Sequence, residues 1–506
     1  MNMLISCVQT KAYSIYESEE GLEHSLNLLD QALEHGPELV VLPECVYPAY
    51  YLRDFRPEMH RPFDDVIRLF AHRAKKHHAY IAVGLVEGTS ELYNSVFLLG
   101  PDGNIVGHAR KELLWHFDSK WFTPGCEHVP VSIKGTTAGM FVCADGRQPE
   151  ISRILRIKGA RMLIDVTNWV TTGRDLSNLP NPQPDFIMRV RAMENAAWVL
   201  AANKVGRELD SVLYCGKSLV INPAGEVVAQ APSDQPTILL AEVDADAEGL
   251  KARPHPVRDR RPELYGGLLE KGNVEKPRRD EIYVALAQVD PGEEPVADTV
   301  LRFAGYAQEQ GADLVIFPEL PAGTYHAVKD VLSAVSVLTC FTTINDGKKV
   351  TCILKSGRTL HEYCRVHATE EEGITPGQSI DVADLTDFVA GVIQDAEGLI
   401  PEQARILALA GMHLLIWPGD CPEKELVAKA RAAENRIFVA SVTSPSGSGS
   451  FVINPYGAVM GGCPPGLSHM AIIQVPVVLA ASKQLAPYTD GFLGRIPAAY
   501  REIAGW

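Results

Sequence analysis

Three reactive side chains follow apolar runs that predict buried strands. Glu44 follows the run 39–42, Lys111 follows a strand predicted at 105–110, and Cys143 follows the run 139–142. A carboxylate can act as a general base, an ammonium can stabilise an oxyanion, and a thiol can act as a nucleophile. Each residue alone has a more ordinary interpretation: a solvated carboxylate, a surface lysine and a small core thiol.

The segment 139–150 predicts a strand, a tight turn and the start of a helix, with Cys143 at the corner. Pro149 and Glu150 suit a first helical turn, because proline needs no N–H there and an acidic residue faces the positive end of the helix dipole. A thiol at a helix N-terminus is expected to have a lowered pKa. Backbone N–H groups of the same corner can stabilise an oxyanion.

Composition restricts the class of protein. The 506 residues carry a formal net charge of −16, which disfavours nucleic acid or an anionic membrane as a partner. The ten cysteines are scattered without a CxxC pair, which is typical neither of a disulfide framework nor of a zinc site. Since no apolar run reaches membrane-spanning length and the first residues read as a strand rather than a leader, we expect a soluble, cytoplasmic protein.

The first half of the chain alternates between two periodicities and predicts an α/β (α+β layered) fold. Strands are predicted at 4–8, 39–45, 80–85, 94–99, 105–110, 162–166, 198–202 and 218–222, and helices at 22–33, 64–77, 151–159 and 185–195.

The pattern then occurs a second time. Leu-Val-Ile-Phe-Pro-Glu at 314–319 matches Leu-Val-Val-Leu-Pro-Glu at 39–44, and Arg-Ala-Ala-Glu-Asn at 431–435 matches Arg-Ala-Met-Glu-Asn at 191–195. Matches in the same order along the chain predict two copies of one domain. The predicted boundaries are 1–250 for a catalytic copy, 251–280 for an Arg/Pro/Gly-rich linker or wrapping arm, 281–480 for a degenerate copy and 481–506 for a C-terminal tail.

The two copies differ where the chemistry would be. Aligning the shared Pro-Glu dipeptides matches Cys143 with Asp395. Aligning the turn glycines, residues 103 and 357, matches Lys111 with Arg365. Only Glu44 keeps its residue type, as Glu319. A thiol needed only for packing would more often be replaced by a small apolar residue than by a carboxylate, so the comparison favours chemistry in the first copy alone.

These motifs resemble the nitrilase (carbon–nitrogen hydrolase) superfamily, which has a Glu-Lys-Cys triad in three separate motifs. They are Leu-Pro-Glu at 42–44, Arg-Lys-Glu-Leu-Leu at 110–114 and Cys-x-Asp-x-x-x-Pro-Glu at 143–150. The resemblance implies two αββα sandwiches, with the second copy in the place of a second subunit, as an internal pseudo-dimer. It leaves further homo-oligomerisation open. It also implies that neither a metal nor an organic cofactor is required.

The resemblance further implies roles for individual residues. Glu44 would be the general base, Cys143 the nucleophile, and Lys111 with the N–H of Ala144 would stabilise the oxyanion. Many family members carry a second glutamate before a Phe-x-Pro-Gly stretch. Here that position is Asp118, one methylene shorter, with Glu370 as its expected counterpart in the second copy.

The substrate class is only partly indicated. Cys-Ala-Asp at 143–145 looks more like the amidase and N-carbamoyl hydrolase branches than the Cys-Trp-Glu of nitrile-cleaving members. Arg147 would either bind a substrate carboxylate or pair with a nearby acid such as Asp145. Other candidates for the substrate pocket, each of which could equally be packing at the domain edge, are Tyr50, Tyr51, Trp115, His116, Asn168 and Trp169. The expected substrate is a small amide, ureido or nitrile compound, and the alternatives are nitrile hydrolysis or a non-catalytic ligand-binding or scaffold tandem.

Overall fold

A computed structural model describes residues 2–292 and 295–506, except for the side chain of residue 370. The chain forms two compact units. Unit 1 contains residues 1–250 together with 486–503, and unit 2 contains residues 251–485 together with 504–506. The last stretch of the chain therefore belongs largely to the first unit, and the predicted linker, 251–280, belongs to the second.

Unit 1 contains a nine-stranded sheet and a six-stranded sheet. In the larger sheet the strands lie in the order Ile105–Arg110, Leu92–Leu99, Tyr80–Gly88, Leu39–Val41, Asn2–Lys11, Lys204–Glu208, Val212–Cys215 and Val170–Thr171, with Thr237–Asp244 also paired to Asn2–Lys11. In the smaller sheet the order is Val227–Gln230, Leu219–Ile221, Trp198–Ala202, Met162–Val166, Thr136–Val142 and Val131–Ile133.

The two sheets of unit 1 face each other, and helices cover their outer faces. The α-helices Ser18–Glu34 and Phe63–His77 pack on the larger sheet, and Pro149–Ile157 and Met188–Asn195 pack on the smaller one. Short helices lie at Ile15–Glu17, Pro57–Met59, His116–Lys120, Cys143–Arg147, Gln183–Ile187 and Pro497–Ala504. Unit 1 is thus an αββα sandwich.

Unit 2 repeats this architecture with two six-stranded sheets. One has the order Arg358–Cys364, Lys348–Lys355, Leu338–Asn345, Leu314–Glu319, Ile282–Gln288 and His469–Val475. The other has the order Ala383–Asp384, Val389–Val392, Leu414–Pro418, Phe438–Val442, Ser450–Ile453 and Val459–Cys463. Side chains of both sheets, among them Ile316 and Ile416, share one buried core.

The helices of unit 2 correspond in order to those of unit 1. Its α-helices are Val296–Glu309, Tyr325–Val331, Pro401–Leu409 and Lys424–Asn435. Short 3-10 helices lie at Pro262–Leu264, Gly266–Leu269, Leu332–Ala334, Glu370–Glu372, Asp395–Leu399 and Val477–Ala481. The chain also has two short strands at Gln484–Ala486 and Thr489–Asp490. Within residues 2–292 and 295–506, no helix is both long enough and apolar enough to cross a membrane.

The prediction of an α/β layered fold made of two αββα sandwiches is confirmed. Periodicity located the long elements well: the strand predicted at 162–166 is Met162–Val166, and the helix predicted at 64–77 is Phe63–His77. The strand predicted at 39–45 is shorter, because pairing ends at Val41 and Glu44 lies in the following loop. The strands Lys204–Glu208 and Val212–Cys215 were not predicted, because the first has one apolar side chain among polar residues and glycine, and the second is a run of only four residues without alternation.

Candidate active site

Glu44 lies fully buried in the loop that follows strand Leu39–Val41. The loop can approach the neighbouring strand because residue 84 is a glycine: a Cβ there would lie 2.5 Å from the Cα of Glu44. Oε1 of Glu44 accepts hydrogen bonds from Lys111 Nζ at 2.8 Å and from Asn94 Nδ2 at 2.6 Å. Oε2 is buried and has no hydrogen-bond partner among the described residues. One oxygen is therefore held in place and the other is uncommitted.

Lys111 lies between two buried carboxylates. Its Nζ is 2.8 Å from Glu44 and 2.6 Å from Oδ2 of Asp118, and all three side chains are 0% exposed. Asp118 is itself oriented by the N–H of Trp115, which donates to the same oxygen at 2.9 Å. Burial lowers the pKa of Lys111, but Asp118 and Glu44 more than compensate, so its pKa is well above the usual value. Lys111 is consequently held as a cation.

Cys143 begins a 3-10 helix, Cys143–Arg147, directly after strand Thr136–Val142. Its backbone is in the left-handed region, with φ 52°. This unfavourable conformation is secured on both sides. The N–H of Cys143 donates to Oδ1 of Asp165 at 2.8 Å, and its carbonyl accepts from Nε2 of Gln183 at 2.7 Å. Ala144 follows in the first turn of this helix, where N–H groups have no helical acceptor.

Asp145 joins the Cys143 corner to the segment that carries Lys111. Its Oδ1 accepts from the N–H groups of Glu112 at 3.0 Å and Leu113 at 2.7 Å, and its Oδ2 accepts from Val142 N–H at 3.1 Å. Burial raises the pKa of Asp145 to about 7, against the effect of these donors. The third residue of the Cys-Ala-Asp motif thus sets the relative positions of two members of the proposed triad.

The expectation of a lowered pKa for Cys143 is wrong. Complete burial raises the pKa of its thiol well above the usual value, and the nearby Glu44 carboxylate adds to this effect. Lys111 and the hydroxyl of Thr167 act in the opposite direction but do not compensate. Desolvation of a thiolate outweighs the short helix that follows. The Cys143 thiol is therefore neutral at rest, and it would need a base to act as a nucleophile.

Two of the residues predicted to bind substrate lie around this cluster. Tyr50 is buried with its ring centroid 5.7 Å from Lys111 Nζ, and burial together with Asp118 and Glu44 raises the pKa of its phenol. Asn168 is also buried, and its Nδ2 donates to the backbone oxygen of Glu44 at 3.1 Å. The Lys111 ammonium therefore lies over the Tyr50 ring, and Asn168 helps to hold the backbone of Glu44.

Aromatic and cationic candidates form a second layer. The guanidinium of Arg147 lies 4.7 Å from the ring centroid of Trp115, and its Nε donates to Oε1 of Gln183 at 3.2 Å. Tyr51 packs edge-on against Phe117 and Trp121, with centroid distances of 5.5 and 4.9 Å.

The last two candidates differ in character. The His116 ring lies edge-on to the Phe117 ring, with 3.8 Å between the ring centroids, and partial burial lowers the pKa of His116. Trp169 is 1% exposed, and its backbone N–H donates to Oδ1 of Asn203 at 2.8 Å, so it lies in the core of unit 1.

Sequence reasoning did not single out Asn94, Asp165, Thr167 or Gln183 as site residues, and it considered Asp145 as a motif residue and a partner for Arg147 but not as a support for the site. These residues act through neighbours in space rather than through a recognisable spacing. The repeat contains one signal for Asn94. The backbone oxygen of Asn94 accepts from the N–H of Lys111, and the backbone oxygen of Lys349 accepts from the N–H of Arg365, so Asn94 and Lys349 occupy corresponding positions. An amide in one copy and a lysine in the other marks a position whose charge differs between the copies.

Unit 2 keeps the backbone of this site with different side chains. Asp395 begins a 3-10 helix with φ 47°, as Cys143 does in unit 1. Lys349 Nζ lies 2.7 Å from Glu319 and 2.6 Å from Asp395, and Arg365 lies 3.1 Å from Asp395. The carboxylates and cations of this cluster therefore neutralise one another.

The counterpart of Asp118 in unit 2 is also defined by contact. Glu372 pairs with Arg365 at 2.9 Å and follows it by the same seven positions that separate Asp118 from Lys111. The side chain of Glu370, which the sequence suggested for this role, lies outside the described residues.

The fold and the site geometry agree with the comparison to known families. The family model described as carbon-nitrogen hydrolase matches residues 4–252 and again residues 339–484. These ranges cover well over half of the 506 residues, so the chain belongs to the carbon–nitrogen hydrolase family and contains two regions that match it.

Individual relatives align with about half of this chain. A probable nitrilase of Schizosaccharomyces pombe is 26% identical over 279 residues, which is 53% of this chain and 99% of the relative. An omega-amidase of Xenopus laevis is 28% identical over 272 residues, 51% of this chain and 93% of the relative. A crystal structure of an amidase from Nesterenkonia sp. is 24% identical, with a TM-score of 0.44, and the match covers 52% of this chain and 95% of that one.

Proposed function

We propose that unit 1 hydrolyses the carbon–nitrogen bond of a small linear amide or N-carbamoyl compound through a thioester on Cys143. One observation carries the proposal: Glu44 has one oxygen fixed by Lys111 and Asn94 and a second, buried oxygen without a partner among the described residues. A buried neutral thiol beside such a carboxylate is the arrangement needed for base-assisted nucleophilic attack. The relatives named as omega-amidases support the amidase class.

In the first step the Cys143 sulfur attacks the carbonyl carbon while Glu44 takes the thiol proton. The carbonyl oxygen becomes an oxyanion, which the Lys111 ammonium and the N–H of Ala144 stabilise. Glu44 then gives the proton to the substrate nitrogen, the carbon–nitrogen bond breaks, and ammonia or an amine leaves. In the second step Glu44 removes a proton from water, which attacks the thioester. The acid is released and the proton returns to the sulfur.

The surrounding residues suggest how the substrate is held. The guanidinium of Arg147, stacked on Trp115, is suited to a carboxylate at the far end of an acyl chain. The carboxylate of Asp118 is suited to accept a hydrogen bond from the amide NH₂ group. A short monoamide or ureido acid would satisfy both contacts.

The test is ammonia release from a panel of ω-monoamides, N-carbamoyl amino acids and nitriles, combined with intact mass measurement during turnover. We expect an acyl adduct on Cys143 with an amide or ureido substrate, no release from Cys143→Ala, and normal release from Asp395→Ala. Full activity of Cys143→Ala would refute the proposal. Turnover confined to nitriles would favour nitrile hydrolysis instead, and binding without turnover of any compound would favour the non-catalytic alternative.

A further inference from the structure

The C-terminal segment of unit 1, residues 486–503, contacts the segment that carries Lys111 and Asp118. The hydroxyl of Thr489 accepts the N–H of His116 at 2.7 Å and donates to the carbonyl of Leu114 at 3.2 Å. The hydroxyl of Tyr500 donates to Oε1 of Glu112, the residue next to Lys111. These hydrogen bonds fix the backbone on both sides of the turn that begins at Trp115.

The same segment also contacts the helix that follows Cys143. Nε2 of Gln148 donates to the carbonyl of Gly491 at 2.8 Å. Arg495 pairs with Glu150 at 2.9 Å, with side chains 0% and 2% exposed. Breaking a buried ion pair leaves an uncompensated charge, so this contact is a strong constraint on the position of the segment.

The segment also packs closely against Leu113. A Cβ at Gly494 would lie 2.5 Å from Cδ1 of Leu113, whose N–H is held by Asp145. The C-terminal segment thus packs directly on the residues that Asp145 connects to the Cys143 corner.

We propose that Thr489, Arg495 and Tyr500 are positioning residues for hydrolysis in unit 1. They hold the segment from Lys111 to Asp118 in a fixed position relative to the helix Pro149–Ile157, which follows the Cys143 turn. In this arrangement the ammonium faces the oxyanion and Asp118 faces the leaving nitrogen. The inference rests on the proposed function for its kinetic readout. It assigns a role in the reaction to residues more than 340 positions away from Cys143 in the sequence.

Unit 2 supplies a matched control, because its own segment 251–270 makes the equivalent contacts. Arg260 pairs with Glu402 at 2.7 Å, and the hydroxyl of Tyr265 lies 2.8 Å from Nε2 of His367. In each unit the tyrosine hydroxyl also accepts a backbone N–H from four residues earlier, from Ile496 at 3.2 Å and from Arg261 at 3.0 Å. Tyr500 and Tyr265 are both 0% exposed. The two tyrosines differ in one respect: the unit of Tyr500 contains Cys143, whereas the unit of Tyr265 has Asp395 at the corresponding position.

The experiment compares Tyr500→Phe with Tyr265→Phe in the full-length chain. Each variant loses one buried hydroxyl, so we expect similar decreases in Tm. We expect kcat of Tyr500→Phe to fall at least tenfold with KM changed less than threefold, and kcat of Tyr265→Phe to stay within twofold of wild type. Equal kcat values in the two variants would overturn the proposal.

A second pair covers the case in which Tyr500→Phe does not fold. Thr489→Ser keeps the hydroxyl and is expected to retain kcat within twofold, whereas Thr489→Val removes it and is expected to lose about tenfold. Wild-type kcat in Thr489→Val would overturn the proposal.

If the wild-type protein hydrolyses no compound of the panel, the proposed function fails separately. The positioning role is then judged by alkylation of Cys143 with iodoacetamide at pH 8, located by peptide mapping. We expect slower alkylation in Tyr500→Phe or Thr489→Val than in Tyr265→Phe, and equal rates would overturn the positioning role as well.

Discussion

At the scale of single residues, the site separates the two oxygens of one carboxylate. Oε1 of Glu44 is occupied by Lys111 and Asn94, while Oε2 is buried without a partner among the described residues. Burial and the nearby Glu44 carboxylate raise the pKa of the Cys143 thiol. Under the proposed mechanism Oε2 of Glu44 accepts the thiol proton, and the thiol needs that base because burial keeps it neutral.

The first prediction concerns this acceptor. Glu44→Gln keeps the shape of the side chain and an oxygen for Lys111 but cannot take a proton. We expect kcat for ammonia release to fall by about 10²- to 10⁴-fold, the usual contribution of a general base. The matched control is Glu319→Gln in unit 2, which should leave kcat within twofold. A similar loss in both variants would show that the base is not Glu44.

The second prediction concerns Asp145, whose pKa is raised to about 7 in the folded protein from a usual value of 3.8. Between about pH 4 and pH 7 the unfolded chain loses this proton and the folded chain keeps it, so this contribution to stability is lost as the pH rises through that window. Asp145→Asn does not titrate. We expect the Tm of wild type relative to Asp145→Asn to decrease from pH 5 to pH 8. A constant difference across this range would contradict the raised pKa.

At the scale of elements, Glu44, Lys111 and Cys143 lie just beyond the ends of three strands of unit 1. Strand Thr136–Val142 runs parallel to Met162–Val166, which brings Asp165 to the N–H of Cys143. Strand Tyr80–Gly88 supports the Glu44 loop through the bare backbone of Gly84. Asp165 and Gly84 therefore help to determine where Cys143 and Glu44 lie.

The third prediction tests the close approach at Gly84. In Gly84→Ala the new methyl group would lie 2.5 Å from the Cα of Glu44 and 2.6 Å from the carbonyl oxygen of Pro43, both backbone atoms. The loop must shift, and misplacing a catalytic group by about 1 Å costs on the order of 100-fold in rate. We expect kcat to fall by about that factor in steady-state assays.

Its control is Gly391→Ala in unit 2, where the methyl group would lie 2.4 Å from Sδ of Met412, an atom of a flexible side chain. That variant should lower Tm and leave kcat within twofold. If Gly84→Ala shows wild-type kcat, the support of Glu44 by this strand has no importance for activity.

At the scale of the whole chain, two αββα units share one architecture and differ in the chemistry at their corresponding corners. Unit 2 has Asp395 where unit 1 has Cys143, and it balances that carboxylate with Lys349 and Arg365. Lys349 stands where unit 1 has Asn94, which bonds Glu44 instead. Where unit 1 has a thiol and an amide, unit 2 therefore has a carboxylate and an ammonium, which pair with each other.

The fourth prediction follows from this exchange. Lys349→Asn removes the cation between Glu319 and Asp395, whereas Asp395 keeps Arg365 and the Glu319 side chain is 38% exposed to solvent. Because one carboxylate keeps a partner and water reaches the other, we expect a loss of about 1 kcal/mol of stability and a Tm of unit 2 lower by about 3 °C in calorimetry. Ammonia release should stay within twofold of wild type. In the double variant Lys349→Asn, Asp395→Asn we expect part of the Tm to be recovered, and no recovery would mean that the ion pairs do not account for the loss.

The sequence alone determined the fold class, the repeat and the types of the reactive residues. Apolar periodicity is a local property, so it located strands such as Met162–Val166, and strand ends placed Glu44, Lys111 and Cys143 where loops carry side chains. The comparison of the two copies also showed a difference in residue type at corresponding positions: a thiol, Cys143, in the first copy and a carboxylate, Asp395, in the second.

Only the tertiary structure decided how these residues behave. Burial is a sum over neighbours from the whole unit, so it reversed the expected direction of the Cys143 pKa. Contacts between distant segments likewise carry no sequence spacing, which is why the roles of Asp165 and Tyr500, and the hydrogen bonds of Asp145 to the backbone near Lys111, follow only from the folded structure. Residue types and their order follow from local chemistry, whereas desolvation and support depend on what the folded chain brings to each atom.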